Sequence, residues 1–411
     1  MDGHLRRFAE GAARSWEAAP VPRRVALVAL TGVTACAGFF SCGHPEEEGR
    51  SPASSSAAPK TTAKLVFEPA DGAKDVSPAS TAKISASGGT LAEARLISDD
   101  GKLVGGKIGP DGTSFETSAS LEFGRKYLFT GQAKGPDGTP EPFLSSFSTL
   151  DPDKVAEVNV NIGDGQPVGV AVPIILRFSA PIKNKAAVER KLKVTCEPAT
   201  EGSWAWLPDA VGEQAHWRTK EYFEPGTKVH LEVPLFAEDF GDGVYCGTQT
   251  LTSDFTIARH QLVQCFVPSH RMQVLRGDAV IMDFPCSYGE GNEVRNTTRS
   301  GIHVVTEKYA DFYMSNPPYY YNAHERFAVR ISNNGEFIHA NPQTIGDQGS
   351  TNVSNGCVNL SPENAQQYFS SALYGDPVEV TGTSVQLSPS DGEIYDWTYD
   401  WETWRGMSAL S

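Results

Sequence analysis

The sequence predicts a mainly-β chain: two antiparallel β-sandwiches in series, then a third mainly-β unit with one short helix and an aromatic-rich C-terminal extension. Three observations point there. Short runs of alternating apolar and polar residues recur, such as Lys64-Leu65-Val66-Phe67 and Lys228-Val229-His230-Leu231-Glu232-Val233. Turn signals separate them at regular spacing, among them Asp99-Asp100-Gly101, Pro110-Asp111-Gly112 and Pro136-Asp137-Gly138. Period-two alternation between Asp-Gly turns marks half-buried strands joined by hairpins. Third, one segment carries clear helix-start chemistry: in Ser361-Pro362-Glu363-Asn364, Ser361 is placed to cap and Pro362 to open the helix.

At 411 residues the chain has room for about three domains of roughly 100–150 residues each. A hydrophobic fraction of 39%, with 10% aromatics, suffices for packed cores. The net charge of −15 argues against nucleic acid as a partner, because phosphate contacts need clustered Lys and Arg. It is also a poor fit to anchoring on anionic lipid by charge, whereas an acidic surface keeps a secreted protein soluble.

Residues 1–36 are expected to form a signal segment outside the fold. Arg23 and Arg24 precede an apolar run from Val25 to Val33, too short to span a bilayer comfortably. The run leads into Val33-Thr34-Ala35-Cys36, which resembles a bacterial lipobox. On that reading Cys36 is lipidated and the protein sits on the outer face of the cytoplasmic membrane; plain secretion or an uncleaved anchor are the alternatives. Cys42 follows Phe39-Phe40-Ser41, whose aromatics suit such cleavage less well. Residues 37–62, with Pro45-Glu46-Glu47-Glu48 and Ser54-Ser55-Ser56, read as a flexible tether.

Residues 63–150 read as one immunoglobulin-like sandwich and residues 151–254 as a second. In the second, Ile174-Ile175-Leu176-Arg177-Phe178 and Lys191-Leu192-Lys193-Val194-Thr195 are strand runs, and Trp204 and Trp206 offer core aromatics. Cys196 and Cys246 sit at strand ends, either paired or as two buried thiols. Asp239-Phe240-Gly241-Asp242-Gly243 is better read as a hairpin turn than as a cation site. Neither sandwich carries a catalytic constellation, so both read as spacers.

In the third unit, residues 255–383, strands are expected at Leu262–Val267, Met272–Leu275, Val280–Phe284, Ile302–Val305 and Phe327–Ile331. Cys265 and Cys286 fall on neighbouring strands, as core thiols or a disulfide. Residues 384–411, with Trp397, Tyr399, Trp401 and Trp404, are expected to pack on this unit. His260, His270, His303 and His324 lack zinc-like ligand spacing, so no metal or cofactor is expected.

The chemistry concentrates in Phe337-Ile338-His339-Ala340-Asn341-Pro342, then Ser354-Asn355-Gly356-Cys357-Val358-Asn359-Leu360. A thiol is a weak nucleophile until deprotonated, with a free pKa near ~8.5. An imidazole can take that proton and later return one to a leaving amine. The turn before Cys357 leaves backbone N–H groups to face an oxyanion. On chemistry alone, Cys357 could equally be one more buried thiol.

The stretch resembles the signature of the L,D-transpeptidase catalytic domain: a His, about fifteen residues, then Ser/Thr-His-Gly-Cys, an aliphatic residue, and Asn or Arg. The likeness runs roughly from Phe255 to Thr383 and includes Gly301-Ile302-His303-Val304-Val305-Thr306-Glu307-Lys308-Tyr309. The two sandwiches and Trp401-Glu402-Thr403-Trp404-Arg405-Gly406 resemble the mycobacterial members. The resemblance implies a peptidoglycan cross-linking enzyme with Cys357 as nucleophile and His339 as base and acid. The Ala340 carbonyl would hold the imidazole tautomer, and the Asn355, Gly356 and Cys357 amides would form the oxyanion hole. Tyr321, flanked by Tyr319 and Tyr320, would lie on a lid, by packing or by substrate contact. Asn334, Gly335 and Asn359 would meet the donor stem peptide.

It further implies 3→3 links between tetrapeptide stems and acylation by carbapenems. One departure is plain: Asn355 stands where the family usually has His. Asn cannot titrate near neutral pH. A loop-shaping role for that position leaves activity intact and is favoured here; a proton-transfer role would cripple the enzyme. The lid between Met314 and His339 reads as short. Two rivals are an L,D-carboxypeptidase and a wall-binding lipoprotein without turnover.

Overall fold

The computed structural model describes residues 62–208, 213–316, 320–391 and 394–411; the expected signal segment, Cys36 and all but the last residue of the tether lie outside them. Strands dominate, as the alternating runs demand. Lys228–Val233 buries Val229, Leu231 and Val233 in turn, so each apolar residue of the alternation reaches the core.

The first sandwich packs the sheet of Lys64–Glu68, Lys83–Ser87, Ser114–Thr117 and Gly106–Ile108 against that of Leu103–Val104, Thr90–Ser98, Lys126–Lys134 and Pro140–Ser148. Ile84, Leu96, Phe115, Phe129 and Phe147 fill the space between. The second pairs Val158–Val160, Ile174–Phe178, Glu213–Thr219 and Gly202–Pro208 in one sheet, and Pro167–Val168, Leu251–Ile257, Lys228–Val233 and Lys193–Glu197 in the other. Cys196 and Cys246 are both free thiols, which decides between the two readings the sequence left open.

The third unit holds two sheets. In the first, β1 (Gln261–Phe266), β2 (Arg271–Arg276) and β3 (Ala279–Pro285) form a meander; β4 (Gly301–Val304) lies at the opposite edge. The second begins with a long hairpin, β5 (Glu307–Asn316) and β6 (Tyr320–Arg330), followed by β7 (Phe337–Ala340) and β8 (Val358–Leu360). Helix α1 (Pro362–Ser371) starts as its residues require, with Ser361 Oγ accepting from the Asn364 amide. The last strand, β9 (Pro377–Thr381), slots between β1 and β4 to complete the first sheet. Val263, Val274, Ile338, Val358 and Tyr368 lie in the shared core, where Cys265 and Cys286 are free thiols.

The segment expected to form the lid falls on the hairpin of β5 and β6 and the turn that follows it. One expectation is corrected: the tail does not pack on the third unit alone. Leu387 donates its amide to the Ser300 carbonyl there, at 2.7 Å. Helix α2 (Trp401–Arg405), however, docks on the second sandwich: Trp404 is fully buried beside Ala205 and Leu207, and its indole donates to the Ser203 carbonyl at 2.9 Å. The Arg218 guanidinium lies over the rings of Trp397, Trp401 and Trp404, at 4.7, 5.4 and 4.8 Å from their centres, and so gives three indoles of the tail a common cationic partner on this sandwich.

Candidate active site

Strand register assembles the site. β7 and β8 run parallel with Ile338 opposite Val358, His339 opposite Asn359 and Ala340 opposite Leu360. Paired residues share a face and alternate along each strand. Ile338, Val358 and Leu360 therefore enter the core, while His339 and Asn359 face the other way. Cys357, two residues before Asn359, falls on their side. All three line one cleft, together with Met314, Glu325 and Asn355. Cys357 is only 9% exposed and His339 3%.

The imidazole is held at Nδ1, which lies 3.0 Å from the Ala340 carbonyl and 2.8 Å from Glu325 Oε2, and the ring lines the same cleft as the Cys357 thiol. Burial opposes a charged ring, but the bonds to Cys357 and Glu325 outweigh it and raise the His339 pKa from 6.5 to about 10. The sequence offered no pointer to Glu325, because β5 and the bulged pairing of β6 could not be read from local pattern.

The loop before Cys357 is pinned by small polar side chains. Ser354 Oγ accepts from the Gly356 amide at 3.1 Å and donates to the Cys357 carbonyl at 2.7 Å. Thr298 Oγ1 donates to the Gly356 carbonyl at 2.9 Å. Gly356 itself sits at φ +117, a conformation that L side chains rarely adopt. The expected oxyanion set is thereby narrowed: the Gly356 N–H is already engaged by Ser354, while the Asn355 and Cys357 amides carry no intramolecular bond among the described residues. Asn355 is exposed, with its Oδ1 accepting from Arg295 Nη1 at 3.1 Å.

Opposite the thiol lies the turn 332–335. The Gly335 carbonyl accepts from Cys357 Sγ at 3.6 Å, within sulfur's longer reach. Buried Glu336 anchors this turn, accepting from Ser332 Oγ at 2.8 Å and from the Arg299 amide at 3.0 Å. Asn334 is exposed and directs its side chain to the Arg299 guanidinium, away from the cleft. Asn359 does face the cleft, and its buried Oδ1 has no hydrogen-bond partner. Tyr319 lies outside the described residues; Tyr320 and Tyr321 belong to β6, but their side chains lie outside what is described.

Residues 260–380 match the L,D-transpeptidase catalytic domain model, and residues 73–238 the bacterial Ig domain model. L,D-transpeptidase 5 of Mycobacterium tuberculosis is 49% identical over 95% of this chain and 86% of its own length. The chain belongs to the L,D-transpeptidase family. L,D-transpeptidase 2 of the same species is 30% identical over 94% of the chain and 96% of its own length. A solved LD transpeptidase in complex with imipenem covers 55% of the chain and all of its own, at 28% identity and a TM-score of 0.47.

As an L,D-transpeptidase the protein is an enzyme with a catalytic cysteine. A cleft that brings one thiol against one imidazole, beside unengaged amides, can carry out acyl transfer: deprotonate sulfur, accept a carbonyl and stabilise the oxyanion.

Proposed function

We propose that this L,D-transpeptidase joins peptidoglycan stems through a Cys357 acyl-enzyme. The observation that carries the reading is the Cys357 thiol and the buried His339 imidazole lining one cleft. His339 takes the thiol proton, and the thiolate attacks the carbonyl of the L,D bond in a tetrapeptide stem. The oxyanion is met by the Cys357 and Asn355 amides. His339 returns the proton to the departing D-Ala amine, leaving a thioester. A side-chain amine of a second stem, that of diaminopimelate, then attacks the thioester carbonyl. The C–S bond breaks, His339 carries the amine's proton to the leaving Cys357 sulfur, and a 3→3 link results. Asn359 Oδ1, buried and unpartnered, offers an acceptor for a donor-stem N–H. Gly335 borders the thiol and Tyr321 sits on the hairpin that would close over the stem, while the Ala340 carbonyl holds the imidazole tautomer.

A carbapenem carries a strained carbonyl that the same thiol can attack, so acylation by this class belongs to the proposal. Intact-mass measurement with a carbapenem tests it: an adduct on the native protein, absent from Cys357→Ala, is expected. No adduct on folded native protein would overturn the reading and favour a wall-binding protein. With purified stems, a dimer supports transpeptidation, whereas a tripeptide alone assigns an L,D-carboxypeptidase.

Export and anchoring through Cys36 complete the proposal, supported by the apolar run and the small residues before that cysteine. Release of Cys36→Ala from the membrane fraction is expected. Retention would indicate an uncleaved anchor.

A further inference from the structure

Glu325 has no part in the mechanism above, yet it lies at the site. Its carboxylate is 2.8 Å from His339 Nδ1, with the two side chains 16% and 4% exposed. It makes no other ion pair among the described residues. How it arrives there is specific to the backbone. Arg326 pairs with Ala340 and Val329 with Ile338, so β6 carries one extra residue between them: a bulge, with Phe327 at φ +54. Continued without the bulge, the Val329–Ile338 register would set Ala340 opposite Phe327 and put Arg326, not Glu325, on the face of His339. The extra residue reverses that parity, as bulges beside functional sites do. Arg326 turns outward, half-exposed, toward Asp311 at 3.7 Å.

We propose that Glu325 is a positioning residue, whose carboxylate holds His339 with Nε2 toward Cys357 and balances the imidazolium formed when the thiol proton moves. The inference rests on the acyl-transfer reading and extends it to a Cys357–His339–Glu325 set. The proton leaves Sγ for Nε2, giving thiolate and imidazolium. The Nδ1 proton stays on the ring, between Glu325 and the Ala340 carbonyl. A carbonyl alone fixes the tautomer; a carboxylate also offsets the positive charge. Among the described residues lining the cleft, Glu325 from β6, His339 from β7 and Cys357 before β8 are the titratable ones, so no second charge competes.

The test uses full-length Glu325→Gln, Glu325→Asp and Glu325→Ala proteins, with alkylation of Cys357 by iodoacetamide followed across pH. Alkylation reports thiolate and needs no stem peptide, so its result stands apart from whether transpeptidation occurs. For Glu325→Gln and Glu325→Ala the alkylation rate at neutral pH should fall about tenfold, with carbapenem acylation falling alongside it. Glu325→Asp should recover part of both. An unchanged pH profile in Glu325→Gln overturns the proposal, even if acylation slows, because a structural role would leave the titration in place. Should Glu325→Ala unfold, the isosteric Gln variant decides alone.

Discussion

Arg299 and Asp391 form an ion pair, Nε to Oδ1 2.6 Å, with their side chains 8% and 9% exposed. The pair ties the C-terminal extension to the turn that faces the thiol, since the Asn334 amide also donates to the Asp391 carbonyl at 2.8 Å. Arg299 keeps the buried Glu336 carboxylate at 3.4 Å, so Asp391→Ala should lower unfolding free energy by less than the ~3 kcal/mol of a buried charge left wholly unpaired. It should also slow Cys357 acylation, because the Ser388–Asp391 turn that presents its carbonyl to the Asn334 amide loses its side-chain bonds. Denaturant titration and intact-mass kinetics read the two effects.

Gly356→Ala separates strain from crowding. A Cβ there would meet nothing closer than Glu336 Cγ at 3.7 Å, so space is not the obstacle. The backbone at φ +117 is, at about 1–3 kcal/mol. The expected outcome is a stability loss of that size with a larger loss in acylation, since the turn relaxes and re-aims the Cys357 amide.

Stability should carry a pH signature from His339. Its folded pKa is raised from 6.5 to about 10, against burial, by the bonds to Cys357 and Glu325. A raised pKa stabilises the fold fully below the unfolded value and loses that contribution as pH climbs through the folded one. Unfolding free energy should thus fall between about pH 6.5 and 10. His339→Gln should lack that slope and lose roughly 10²–10⁴-fold in acylation.

Asn355→His tests the departure from the family pattern. Asn355 is exposed and its recorded partner is Arg295, not His339. The position's expected part in the chemistry is its backbone amide, which the substitution keeps, so carbapenem acylation should change by no more than about twofold. A larger gain would assign that position to proton transfer.

Trp404→Ala removes the fully buried anchor of the tail. Truncating a buried Trp costs about 3–5 kcal/mol. The loss should appear in denaturant titration together with new proteolysis near α2, reporting release from the second sandwich.

Much of this was legible in local pattern. Alternation located the sandwich strands, Ser361-Pro362 located α1, and the spacing of His339 and Cys357 pointed to one site. Those signals are short-range: period two, a cap, a motif. The tail misled because its aromatics announce burial without saying against what; the answer, Arg218, lies far away in sequence. The fate of Cys196 and Cys246 was likewise open, because thiol pairing depends on geometry between strands.

By itself the sequence determined the mainly-β class, the family and the thiol–imidazole pair, each written in residues that act through near neighbours. Tertiary structure alone decided what stands behind the imidazole. Glu325 and Arg326 are adjacent, with opposite charges, and strand alternation sends one to each face. A single bulged residue at Phe327 chooses the carboxylate for His339, and a bulge is set by strand pairing across the sheet rather than by the residues that flank it.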